Sequence, residues 1–251
     1  MTIKAVTFDI WDTIVDDDSD EPKRAARGLR SKHDERRHLV WQALNGVAPV
    51  SLDEVVRAYD VAEAAYNVVW KELHVTMTVE QRMRIVLRGL GRTLPDAALA
   101  RLIEDKERME VDIPPDPIDG IAEALSELSQ RYPLWIVSDT IVTPGRGMRE
   151  ILENHGLKQY FRGFSFSDEV GHAKPHRAMF DPVAETLGVA MSEIVHIGDR
   201  DHNDIKGPHA LGAKAVLFTA TRPDDKDITT ADAVCETARD LPAVIDRLAA
   251  A

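Results

Sequence analysis

Four short apolar runs in this 251-residue chain each lead into residues able to do chemistry. Ile3-Lys4-Ala5-Val6-Thr7-Phe8 stops at Asp9, and Leu134-Trp135-Ile136-Val137 stops at Ser138-Asp139-Thr140. Phe164-Ser165-Phe166 is followed by Gly171-His172-Ala173-Lys174-Pro175, and Ile194-Val195-His196-Ile197 stops at Gly198-Asp199, with Asp204 five residues on. A carboxylate placed as a nucleophile, a hydroxyl, a lysine and an acid pair together form a kit for phosphoryl transfer. A dianionic phosphate needs positive charge and hydrogen-bond donors, and carboxylates beside a phosphate need a cation between them. Mg²⁺ suits that place, because it takes a few carboxylates together with water and substrate oxygens.

The kit works only if the four run ends meet. Ala5, Val6 and Phe8 read as a strand buried on both faces, as in a parallel sheet covered by helices. In such sheets reactive groups sit at the carboxyl ends of the strands. Helical patterns over residues 120–130, 145–156, 177–187 and 205–211 alternate with strand-like runs at 134–137, 164–166, 194–197 and 215–218. That alternation predicts a doubly wound parallel α/β sheet.

Between the first and second strands the pattern is helical instead, with Leu39, Leu44, Val55, Tyr59, Ala62, Tyr66, Val69 and Trp70 at three- and four-residue spacing. Ser51 with Glu54 predicts a capping box, and further helices are expected at 80–87 and 96–110. Pro114-Pro115-Asp116-Pro117 is the sharpest break. The expected organisation is an α/β core formed by residues 1–15 and 115–251, with a helical insertion at 16–114. Trp41 and Trp70 read as packing residues. The acidic residues 16–21 read as an exposed linker or a helix start. The basic residues between 23 and 38 read as a solvated helix face or as a collar that draws anionic substrates.

A net charge of −12 argues against a surface built for nucleic acid. The single cysteine, Cys235, allows no intramolecular disulfide and reads as a small core residue. Asp9 interrupts the N-terminal apolar run, and no stretch reaches the roughly 18 apolar residues of a membrane helix. A cytoplasmic protein without nucleic-acid or membrane partners is expected.

With four motifs in order at strand ends, the chain resembles the haloacid dehalogenase superfamily of hydrolases with a helical cap after the first motif. The resemblance covers the core and implies a Rossmann-like sheet. It implies that Asp9 is a nucleophile forming an aspartyl intermediate. It also implies that Asp9, the Trp11 carbonyl, Asp199 and Asp204 hold Mg²⁺, with Asp204 binding directly or through water. Ser138 would donate to the phosphoryl group and Lys174 would neutralise charge. Gly198 would let the backbone pass closely, and Thr13, Asp139 and Thr140 would lie beside the substrate, a small phosphorylated metabolite.

The chain departs from the family at one position. Phosphatases of the family carry Asp-x-Asp-x-Thr in the first motif, and the second Asp protonates the leaving alcohol. Here Trp11 stands there and has no such proton to give. The alternatives for that role are Asp12, the insertion through a histidine such as His33, His38 or His74, or a substrate whose leaving group is good enough to need no acid. The dehalogenase branch also lacks the second Asp, often has an aromatic residue in its place, and needs no metal. An acid pair such as Asp199 and Asp204 is poorly stabilised without one. Three readings follow: a Mg²⁺-dependent phosphatase, a 2-haloacid dehalogenase using an arginine from residues 24–37, and a catalytically weak module binding a phosphorylated ligand or a protein.

Overall fold

A computed structural model describes residues 2–250. Its centre is a six-stranded, all-parallel sheet of β1 (Ala5–Phe8), β2 (Leu134–Ser138), β3 (Phe161–Phe166), β4 (Ile194–Gly198), β5 (Lys214–Phe218) and β6 (Ala233–Cys235), ordered β3-β2-β1-β4-β5-β6. The strand order reverses at β1, and the crevice outside that reversal is where open α/β sheets bind ligands. Register fixes what meets there. Phe8 pairs with Ile136 on one side and with Ile197 on the other, so Asp9, Ser138 and Asp199 emerge at one edge.

Both faces of the sheet are covered, which is why its strands are apolar throughout. Val6 and Phe8 point into a core closed by helices Ile121–Ser129, Gly145–Asn154 and Leu241–Ala250. Ala5, Trp135 and Ile194 point the other way, against Met179, Phe180 and Val183. β3 begins three residues earlier than the pattern suggests, and Cys235 sits in a sixth strand that residue type alone did not mark. The helices expected at 177–187 and 205–211 are broken. A 3₁₀ turn, Arg177–Met179, precedes helix Asp181–Leu187, and a wide π-type turn, Asp201–Lys206, precedes Gly207–Ala210.

Between β1 and β2 every regular element is helical, principally Lys32–Asn45, Leu52–Leu73, Val79–Gly89 and Asp96–Glu107. They pack on one another through Val40, Val55, Tyr59, Met83, Val86 and Leu102, a cluster separate from the sheet's core. The capping box at Ser51 and Glu54 is present, and Thr78 with Gln81 forms a second one. The two connections to the sheet run side by side: Ile118 N donates to Ile14 O at 3.0 Å and Asp16 N to Asp116 O at 3.0 Å.

The acidic run opens a helix, Asp20–Ala26, with Asp20 and Glu21 in its first turn as one of its two readings had it, and only the exposure of the two charged runs is corrected. Asp20, in the acidic run, is buried against Lys32, whose Nζ lies 2.8 Å from its Oδ1. Lys32 and Arg24 are themselves buried, so the basic run is only partly a solvated face. A lysine whose four-carbon stem can lie along apolar surface is drawn in when carboxylates converge on its tip.

Candidate active site

Asp9 continues the β1 ladder past its last residue, its N–H donating to Ile197 O at 2.9 Å. Its carboxylate meets Lys174, delivered by the loop after β3, whose Nζ lies 2.9 Å from Asp9 Oδ1 and 2.6 Å from Asp204 Oδ1. The Lys174 N–H donates to Asp139 Oδ1 at 2.9 Å, which fixes the loop against the end of β2. Burial opposes a charge on Lys174, but Asp204, Asp9 and Asp139 outweigh it and raise its pKa well above that of a free ammonium.

Asp204 is the most supported carboxylate of the group. Oδ1 accepts from Lys174 and from His196 Nε2 at 3.1 Å, and Oδ2 accepts from the Arg200 N–H at 3.0 Å. Burial works against its ionisation, yet Lys174 and His196 hold its pKa well below the carboxylate range. Gly198 makes room for it: a Cβ there would stand 2.3 Å from Asp204 Cγ. The expected role of this glycine, close passage, is thus toward a side chain.

His196 is a site residue that motif reading missed. It is fully buried on β4 opposite Thr7, with Nδ1 2.8 Å from Thr7 Oγ1. Nε2–H donates to the carboxylate, and in the neutral ring Nδ1 accepts from the Thr7 hydroxyl. Burial lowers its pKa, consistent with that tautomer. A threonine and a histidine inside otherwise apolar strand runs were the available signal.

Asp199 is the opposite case. Both of its oxygens are buried without a hydrogen-bond donor, and the nearest cationic atoms are Arg200 Nε at 3.5 Å and Arg222 Nη1 at 3.6 Å. Burial, with the charges of Asp204 and Asp9, pushes its pKa up to about 8. One oxygen each from Asp9, Asp199 and Asp204 lie within 4.8 Å of one another. Three hard oxygen donors converging around an unsatisfied buried carboxylate fit a Mg²⁺ ion.

The remaining expected residues divide. Trp11 and Asp139 line the same cavity of about 320 Å³ as Asp9, Lys174 and Asp204. The Trp11 indole N–H donates to the Asp139 carbonyl at 3.1 Å. Burial pushes the Asp139 carboxyl up to about 7 despite Lys174. Ser138 and Thr13 are fully buried with their hydroxyls unpartnered, and neither lines the cavity. Thr140 is not brought to the group: its hydroxyl donates to Asp168 and its N–H to Ser167 Oγ at 2.8 Å, so it braces the loop.

Asp12 does not serve the cavity either. At φ +52° it turns its carboxylate to Thr221, which donates to it at 3.0 Å. The cavity wall includes none of His33, His38 and His74. It does include Lys32, Arg36, Glu63, Asn67, Trp70 and Glu110 from the helical insertion. Trp70 is therefore a cavity residue as well as a packing one. Trp41 packs within the insertion and donates to Val50 O at 3.0 Å.

The chain is 26% identical over 236 residues to 5-amino-6-(5-phospho-D-ribitylamino)uracil phosphatase YigB of Escherichia coli, covering 90% of this chain and 86% of the relative. It is 27% identical over 218 residues to a phosphoglycolate phosphatase of Vibrio parahaemolyticus, covering 86% and 84%. A 2-haloacid dehalogenase of Pseudomonas syringae superposes with a TM-score of 0.63 at 17% identity over 98% of this chain and 100% of its own, a likeness of fold alone. The model of the haloacid dehalogenase-like hydrolases matches residues 3–212, and the chain belongs to that family.

Proposed function

We propose that the protein is a Mg²⁺-dependent phosphatase of small phosphorylated metabolites in the cytoplasm, with residues 16–114 acting as a cap over the core. The observation that carries this reading is the buried, donorless carboxylate of Asp199 beside Asp9 and Asp204. Asp9, Asp199 and Asp204, with the Trp11 carbonyl, would hold the ion. When bound, Mg²⁺ offsets the carboxylate charge and draws electron density from the phosphoryl oxygens.

The chain's own residues account for the rest. An Asp9 oxygen attacks phosphorus as the bond from phosphorus to the leaving oxygen breaks, and the phosphoryl group passes to Asp9 as an acyl phosphate. Lys174, between Asp9 and Asp204, aligns the nucleophile and neutralises charge on the transferring group. The Ser138 hydroxyl, buried at the end of β2 and without a partner in the protein, would donate to a phosphoryl oxygen that reaches that strand end. Water then opens the acyl phosphate and returns Asp9. The leaving oxygen takes its proton from solvent, because Trp11 offers none, so of two esters that fit the cavity equally well the one with the better leaving group turns over faster.

The haloacid reading draws on Trp11, since attack at carbon needs no leaving-group proton. It leaves Asp199 buried with nothing to bind, and the phosphatase reading is the stronger one. Phosphate release from p-nitrophenyl phosphate, with Mg²⁺ or chelator, separates the two. Turnover that needs Mg²⁺ and falls by at least about 10³-fold in Asp9→Asn is expected, the order of loss seen when a nucleophile is removed. Chelator-insensitive halide release from 2-haloacids without phosphate release would establish the dehalogenase instead.

A further inference from the structure

The cavity beyond the carboxylate group has a charge pattern that bears on what leaves. Its wall from the insertion contains Asp17, Asp18, Glu63 and Glu110 but only two cations, Lys32 and Arg36. Both cations are already engaged. Lys32 Nζ lies 2.8 Å from Asp20 Oδ1, 3.4 Å from Asp17 Oδ1 and 3.7 Å from Glu110 Oε1. Arg36 Nη2 lies 2.7 Å from Glu110 Oε1. Behind the wall, Arg82 Nη1 holds Glu63 at 3.2 Å. Arg200 joins the wall from the core, 3.5 Å from Asp199, so that six carboxylates, Asp20 and Asp199 included, face four cations. Burial and the nearby charges of Glu110, Asp12 and Asp18 push Asp17 up to about 6 in spite of Lys32.

We infer that the substrate's leaving group is an uncharged, hydroxyl-rich moiety of polyol or sugar type, and that the cavity rejects esters whose leaving group carries a carboxylate or a second phosphate. This rests on the phosphatase reading of the same site. An anionic distal group would find Lys32, Arg36 and Arg200 each already beside a carboxylate, with only Arg36 Nε lacking a partner, and a surplus of like charge around it. Hydroxyls find carboxylate acceptors with lone pairs to spare, and Asn67 offers both a donor and an acceptor. Trp70, only 9% exposed, adds an indole N–H that is buried without a partner and an apolar ring against which a carbon skeleton can lie. A few placed polar groups on an otherwise packed wall are what fix a ligand's orientation.

The test is a comparison of kcat/KM for ribitol 5-phosphate and glycerol 3-phosphate with that for phosphoglycolate, whose leaving group ends in a carboxylate, using p-nitrophenyl phosphate as reference. At least tenfold preference for the polyol esters is expected. The exposed rim variant Asp18→Lys should narrow that preference at least threefold by giving a carboxylate an unpaired cation. Cleavage of p-nitrophenyl phosphate with phosphoglycolate equal to or better than the polyol esters overturns this inference alone. A preference that Asp18→Lys leaves unchanged shows that wall charge does not set it, and also overturns it. No cleavage of any ester, p-nitrophenyl phosphate included, removes the phosphatase reading and this inference with it.

Discussion

In the proposed phosphatase, Trp11 occupies the position where a leaving-group acid is missing. Its indole N–H is committed to the Asp139 carbonyl and its ring packs partly against the sheet core, so the residue supports the turn after β1. What it lacks is a transferable proton. Trp11→Asp should therefore raise turnover of an unactivated alkyl phosphate relative to p-nitrophenyl phosphate by about 10²-fold or more, the range of a positioned general acid. Taking the ratio of the two substrates removes any loss of folded protein. An unchanged ratio would show that the acid, if the enzyme uses one, works from elsewhere. Lys174 illustrates the same scale differently: its charge persists in a buried place only because two carboxylates touch it.

Among the elements, β4 and the π-type turn that follows it set the geometry of the three carboxylates. Asp199 directly follows the strand, and the wide winding of Asp201–Lys206 brings Asp204 back against Gly198. The missing Cβ of Gly198 is what permits that return. Gly198→Ala should displace Asp204, loosening its bonds to His196 and Lys174 and spreading the three carboxylates. Mg²⁺ added to the unaltered protein at 100 times its Kd should stabilise the fold by about 2.7 kcal/mol through mass action. In Gly198→Ala most of that gain should vanish, as read from urea midpoints with and without Mg²⁺. An undiminished gain would mean that Asp204 is dispensable for the ion.

For the whole molecule the question is how the helical insertion is held to the core. Three kinds of contact span the seam. Backbone pairing joins Ala173 N to His74 O at 2.9 Å and Thr76 N to Gly171 O at 3.3 Å. Ion pairs join Arg146 to Glu107 and Arg108 to Glu150. Arg82, almost fully buried, reaches from helix Val79–Gly89 to the Ile141 carbonyl, with Glu63 on its other amine and Tyr66 4.7 Å below it. Arg82→Ala leaves Glu63 and the Ile141 carbonyl without their partner. It should lower stability by roughly 3–5 kcal/mol, as expected when one member of a buried pair is removed. It should also raise KM more than it lowers kcat, because the cavity wall from the insertion loses its anchor. A lower kcat with KM unchanged would mean that the anchor acts on the carboxylate group instead.

The sequence by itself determined the parallel sheet, the helical insertion and the shared edge of Asp9, Ser138 and Asp199, because apolar runs of strand length alternating with helical periodicity admit little else. It also exposed Trp11 as the departure, since that position follows Asp9 by a fixed step. Pairings across the chain were decided only by the tertiary structure. His196 meets Thr7 through strand register, 189 residues apart. Thr140 turns to Asp168 because the loop after β3 passes behind it. Lys32 is buried because Asp17, Asp20 and Glu110, up to 78 residues away, converge on its ammonium. A residue's type fixes what it can bond, but packing fixes which partner excludes water from it, and the character of the cavity wall depends on that choice.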